Sequence, residues 1–277
     1  MPVIAMTQEM GSLAKDVSEA VAGRMQLGVL RHEVLEHVAD KMHVPQSLIS
    51  RLREGKAGLV ERLKTDTDSV ALYTAEEVFA QAERGNVVIR GWGATCLLRQ
   101  VPHVVCVRVT RSLDKRVEWL MEHLQTDDAD FARAEIERSD TAHASRMHQQ
   151  FGVTWGDPVL YDVVLNTDRL SVDSCVEQIR GLAVRPEFAE TVQSRAMLTR
   201  LALEARIRSA LKAHASTSAV NVTIEALPTQ VVLRGIVFNE SERAAAEAVA
   251  AAVPDVSKVD NQLRLMAGSK LFTSAKY

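Results

Sequence analysis

The chain has 277 residues, 47% of them hydrophobic and 25% charged, with a net charge of -3. This is the balance of a soluble globular protein long enough for two domains, and it argues against a general nucleic-acid-binding surface, which needs a clear excess of Lys and Arg. Cys96, Cys106 and Cys175 are too few and too scattered for a disulfide framework or a zinc site.

The apolar runs are of strand length rather than membrane-spanning length, and the start MPVIAMTQEM lacks the basic and apolar regions of an export signal. A cytoplasmic protein without a transmembrane segment is expected. Residues 3–7 (VIAMT) read as a strand, followed by Leu13, Val17, Val21 and Met25 at the spacing of one helix face. Val34, Val38 and Met42 mark a second helix. NVVIRG (86–91) and HVVCVRVT (103–110) are β-branched and almost continuously apolar, as strands covered on both faces are. Leu113, Val117, Leu120, Met121 and Leu124 predict another helix, and VLYDVVLN (159–166) a further strand before a last helix. Strands alternating with helices predict a parallel α/β sheet, with binding chemistry at the strands' carboxyl ends.

Near residue 185 the pattern and the charge both change. Residues 1–184 carry 21 basic and 27 acidic side chains, and residues 185–277 carry 12 and 9. We read residues 1–184 as one domain, 185–196 as a linker containing Pro186, and 197–277 as a second domain. In the latter a helical pattern (Leu198, Leu201, Ile207, Leu211) leads to strands at 221–228 and 230–237. A helix follows, capped by Asn239 or Ser241 and running to Val253, and then a strand at 256–266. This is a small α-β-β-α-β module.

The segment TQEMGSLAKDV (7–17) follows the first strand directly. A strand-to-helix turn aims backbone N–H groups and the helix dipole at one point, which suits a phosphate. Gly11 permits close approach, Ser12 offers a hydroxyl and Lys15 a cation. The turn is not G-x-x-x-x-G-K-[ST]: with Lys15 in the lysine slot, Glu9 and Ala14 stand at the glycines and Asp16 at the magnesium hydroxyl. On these residues alone an ordinary strand-to-helix turn remains the alternative.

VIAMTQEMGSLAKDVSEAVAGRM, VVIRGWGATCLLRQVPHVVCVRV and FGVTWGDPVLYDVVLNTDRLSVD, with the run W-G-D-P-x-x-Y-D at 155–162 and Asn166, Thr167 and Asp168, resemble the cytidylate-kinase-like branch of P-loop nucleoside monophosphate kinases over about residues 1–183. The resemblance implies a five-stranded parallel sheet, a phosphate loop after the first strand and an arginine-bearing lid. The activity it implies is transfer of the γ-phosphoryl of ATP, with magnesium, to CMP or a related nucleotide. By the same resemblance Gly11, Ser12 and Lys15 would hold donor phosphates, and Arg138, Asp140 and Arg146 would act from the lid. Arg90, Trp92, Arg111 and Asp157 would face the acceptor.

Four departures from the family pattern fall at the reaction site. Leu13 and Ala14 replace a glycine pair, Arg31 before His32 replaces an aspartate, Trp92 replaces an arginine in GWGA, and His143 replaces the arginine of D-x-x-R after Asp140. Such a site supports either a kinase or a catalytically inactive relative that senses nucleotides, because one positioned arginine contributes on the order of 10³-fold to phosphoryl transfer.

Simpler readings cover other residues. His32, His37 and His43 are expected at the surface, and Asp127, Asp128 and Asp130 in a solvated loop. Trp155 and Tyr161 are expected in the core. No nucleophilic triad or metal spacing is present, so no protein-held metal is expected. ARIRSAL (205–211), VVLRGIV (231–237) with Gly235, NESERAAAEAVAAAV (239–253) and DVSKVDNQLRL (255–265) resemble a BON domain, a module of binding rather than catalysis. That resemblance implies an unidentified ligand or protein partner, with docking or homo-oligomerisation as the plainest role.

Overall fold

A computed structural model describes residues 1–30 and 33–266. Arg31 and His32, and with them one of the four departures, lie outside the described residues. The chain forms two compact units, Met1–Thr199 and Arg200–Tyr277.

In the first unit β1 (Val3–Gln8), α1 (Ala14–Met25), β2 (Gly28–Leu30), α2 (Glu33–Met42), α3 (Gln46–Arg53), α4 (Leu59–Lys64), α5 (Thr67–Arg84) and β3 (Val87–Arg90) follow in order. Then come α6 (Ala94–Leu98), β4 (Val104–Thr110), α7 (Leu113–Leu124), α8 (Ala129–Phe151), β5 (Val163–Asn166) and α9 (Val172–Ala183). The helix α10 (Val192–Ala213) begins in this unit and ends in the second. All five strands are parallel, in the order β2-β3-β1-β4-β5. Ile4, Met6, Val88, Val105 and Val107 bury the sheet against Val17 and Val21 of α1 and Val176 and Ile179 of α9. The chain runs outward from β1 to one side and then crosses to the other, so the strand order reverses at β1. The crevice at its carboxyl end is where such sheets bind ligands.

The fold class predicted for this part is the one observed, with differences in detail. The structure adds β2, whose three residues carry too little pattern to be predicted, and the helices α3 to α5, of which α3 buries Ile49 and α5 buries Tyr73, Val78 and Phe79. The strand expected over 159–166 shrinks to Val163–Asn166. Asp157 accepts the Val159 N–H at 3.0 Å and Pro158 starts a 3-10 turn over Pro158–Leu160, so the strand begins only after that turn.

In the second unit β6 (Val222–Ala226) pairs antiparallel with β7 (Val231–Val237), which pairs parallel with β8 (Val259–Leu265). The connection between β7 and β8 is α11 (Glu240–Ala251), whose cap is Asn239, accepting the Glu242 N–H at 2.8 Å. Ile207 and Leu211 of α10 cover Ile224, Leu233 and Leu263, with Ala246 and Ala250 of α11. Among the described residues no helix is long and apolar enough to cross a membrane.

Candidate functional site

The turn after β1 contains two left-handed residues, although its sequence departs from the phosphate-loop pattern. Gly11 has φ 79° and Leu13 has φ 61°. For leucine that left-handed conformation costs roughly 1–2 kcal/mol and persists only where surrounding structure imposes it. Leu13 is the N-cap of α1, and no side chain caps the helix, so its first N–H groups keep their capacity for an anion. Ser12 is 1% exposed, and its Oγ is buried without a hydrogen-bond partner among the described residues. Lys15 is exposed on the first turn of α1.

The other side of the loop is lined by α7. A Cβ on Gly11 would lie 3.1 Å from Trp119 Cε3 and 3.2 Å from Arg116 Cα, so helix and loop are in direct contact. Glu9, in the loop, is a carboxylate with four basic or hydrogen-bonding neighbours. It takes Arg108 Nη2 at 2.5 Å, Thr110 Oγ1 at 2.7 Å and the Arg111 N–H at 3.2 Å, with Arg116 Nε at 3.9 Å. Arg116 is also forked onto Asp140 of α8, at 3.1 and 2.8 Å. Arg111 lies on this side of the crevice, with Nη1 3.5 Å from Gly11 O and Nε 3.8 Å from Asp168. The Nε atoms of Arg111 and Arg116 are buried with no hydrogen bond. Three buried polar atoms around one loop thus lack a hydrogen bond among the described residues, although Arg111 Nε and Arg116 Nε each lie within 4 Å of a carboxylate.

The helix α8 also carries Arg138 and Arg146, which contact the end of α3. Arg146 donates to the carbonyls of Arg53 and Leu52, and Arg138 to the Glu54 carbonyl at 3.0 Å while pairing with Glu135. Arg53 stacks on the Trp92 ring, its guanidinium carbon 3.3 Å from the centroid. Burial, and then the charges of Arg146 and Arg90, hold the Arg53 guanidinium down to about 9. Arg90 donates to Gln8 Oε1 at 2.7 Å, at the end of β1. The strand β3 ends at Arg90, and Arg90 and Trp92 both approach Arg53. Gly91, Trp92 and Gly93 all take positive φ, the sharpest backbone turn at the site. The His143 ring lies tilted by 36° against Trp155 with centroids 4.3 Å apart, and Arg108 lies 4.4 Å over the same indole. Burial, followed by Arg146, Arg53 and Arg108, pushes the His143 imidazole down to about 3, so it is neutral at ordinary pH.

The structure therefore gathers Gly11, Ser12, Lys15, Arg111 and Asp140 around the loop, and Arg90, Trp92 and Arg146 around Arg53. Arg138 pairs within its own helix, and Asp157 is an exposed turn cap. Trp155 and Tyr161 are core residues as expected, with Trp155 Nε1 bonded to Thr7 and the Tyr161 hydroxyl to Trp155 O. His37, expected at the surface, is half-buried and bonded to Glu76 at 2.8 Å. Arg53, Arg108 and Arg116 escaped the sequence reading. Arg53 sits in the unread α3 stretch, while Arg108 interrupts an apolar strand, which was a usable sign of a partnered interior charge. A separate cavity of about 190 Å³, lined by residues such as Arg99, Val104 and Asp162 near the start of β4, contains none of these groups.

No curated protein matches the chain. Among solved structures, an uncharacterized protein from Eubacterium ventriosum shares 19% identity with a TM-score of 0.53, covering 67% of this chain and 100% of that one. Shikimate kinase from Bacteroides thetaiotaomicron matches at 16% and 0.39, covering 65% and 97%. A gluconokinase from Sinorhizobium meliloti matches at 16% and 0.39, covering 73% and 93%. The model of the BON domain matches residues 200–267. That of the cytidylate kinase-like family matches residues 3–169, more than half of the chain, and the protein belongs to that family.

Proposed function

We propose that the first unit transfers the γ-phosphoryl group of ATP to CMP or a related nucleoside monophosphate. The observation that carries this reading is the half-buried cluster of Arg53, Arg90 and Arg146. Three guanidiniums within electrostatic reach of one another, with Glu54 as the weakest influence on Arg53, favour an incoming anion such as an acceptor phosphate. Across the crevice the free amides of α1, Ser12 Oγ, Lys15, Arg111 and Arg116 suit the donor's polyphosphate. Phosphoryl transfer needs positioning and charge neutralisation more than covalent chemistry from the protein, and cations on both sides of the crevice supply that.

Among the described residues no three His, Cys, Asp or Glu side chains gather to hold a metal ion. Magnesium in phosphoryl transfer is carried mainly by phosphates and water with one or two carboxylates. When bound it would neutralise phosphate charge, and Asp16, exposed beside Lys15, is the carboxylate placed to assist.

A second reading, a nucleotide sensor without turnover, is favoured by Trp92 in the place of an arginine and by Trp119 packed on the phosphate loop. In the second unit Ile236 and Phe238 are exposed beside a cavity of about 400 Å³, which supports a binding role there for a ligand or partner. We place the protein in the cytoplasm on the character of its first unit.

Calorimetry with ATP–magnesium and CMP, followed by a coupled assay for ADP, tests both readings. ADP formation dependent on CMP supports the kinase. Binding without ADP leaves the sensor, and no binding of either nucleotide removes both.

A further inference from the structure

Arg116 has two internal carboxylates, and its Nε–H makes no hydrogen bond among the described residues. Its Nη atoms grip Asp140 at 3.1 and 2.8 Å, its Nε stands 3.9 Å from Glu9, and its backbone lies against Gly11. The residue is 6% exposed, and the buried Nε makes no hydrogen bond. Asp140, at 28% side-chain exposure, is the more hydrated partner and gives up the pair at lower cost.

We propose that Arg116 is a donor-phosphate contact, and that Asp140 is an internal anion holding this guanidinium until a polyphosphate replaces it. The inference rests on the donor site assigned above. Polyphosphate at the loop would approach Arg116 from the Gly11 side and take over the fork now spent on Asp140. A guanidinium matches phosphate as well as carboxylate in geometry, so the exchange needs no large movement of α7. Because Asp140 belongs to α8 and Arg116 to α7, the exchange also removes one of the ties between these helices, beside the packing of Val117 and Leu120 on Ala132 and Ile136 and the Arg133–Asp114 pair. Polyphosphate binding is thereby linked to the α7–α8 contact through Arg116.

Calorimetry of the full chain with inorganic tripolyphosphate tests this. Asp140→Asn should tighten binding roughly tenfold by removing the competing charge, whereas Arg116→Gln should weaken it by a similar factor. If Arg116→Gln does not fold, Arg116→Lys, which keeps the charge but loses the fork, should bind several-fold more weakly than the parent. Binding by Asp140→Asn where the parent shows none would also support the exchange. A parent that binds while Asp140→Asn binds no tighter overturns the exchange alone. Absence of binding in both the parent and Asp140→Asn overturns the exchange together with the donor-site assignment.

Discussion

The Arg53 guanidinium lies 3.3 Å above the indole of Trp92, and the residue beneath it has a left-handed backbone, φ 60°, between two glycines that do the same. An aromatic ring thus fills the place of a family arginine and holds a different arginine instead. Restoring the family residue is therefore expected to harm the free protein. Trp92→Arg would remove the cation-π contact and add a fourth cation to Arg53, Arg90 and Arg146. Thermal melting should show a lower Tm for this variant without ligand, and a larger rise on adding CMP than the parent shows. An unchanged Tm without ligand would contradict the account of this cluster.

Ser12 offers a test that separates stability from binding. Its buried hydroxyl has no partner, a deficit worth about 1–3 kcal/mol. Ser12→Ala should leave the folded state as stable as the parent or more so by about 1 kcal/mol, while weakening ATP binding. Denaturant unfolding and nucleotide titration on the same sample check the two halves.

His143 sets an acid limit. The folded imidazole is held down to about 3 against an ordinary value of 6.5, so the unfolded chain takes up a proton first as pH falls. Stability associated with neutral His143 is complete above about pH 6.5 and declines towards pH 3, by up to roughly 1.4 kcal/mol per pH unit. Burial lowers His103 as well, so His143→Gln should flatten the slope without abolishing it. Denaturant midpoints between pH 7 and 4 measure this, and an identical slope in the variant would reject the assignment.

Gly235 controls the sheet of the second unit. It sits at φ 153°, paired with Val222, and a Cβ there would stand 2.6 Å from the Asn221 carbonyl oxygen. That contact involves backbone on both sides and cannot be relieved by a rotamer. Gly235→Ala should destabilise this unit by on the order of 1–3 kcal/mol, seen as faster amide exchange in β6 and β7. Retained ATP affinity would locate the damage in the second unit.

Much of the first unit was legible in sequence. Apolar, β-branched runs fixed β1, β3 and β4, because strands covered on both faces tolerate few polar residues. The Val17–Val21 and Val34–Val38 spacings fixed two helices. The short β2 was not legible, since three residues carry too little pattern. Ser12 and Lys15 were legible as candidates from their place after β1 and Asp140 from the family resemblance, whereas Arg53 and Arg116 belong to no local motif.

Sequence by itself determined the alternation of strands and helices, the change of character near residue 185, and the loss of glycine and arginine at familiar positions. Only the tertiary structure decided what those losses mean. It showed Leu13 forced into a glycine-like conformation, Trp92 serving as the seat of Arg53, and Arg116 shared between Glu9 and Asp140. The physical reason is range. Backbone periodicity is written within a few neighbouring residues, while the charge balance of a crevice is set by side chains far apart in the chain, as Glu9 and Arg108 are at 99 positions.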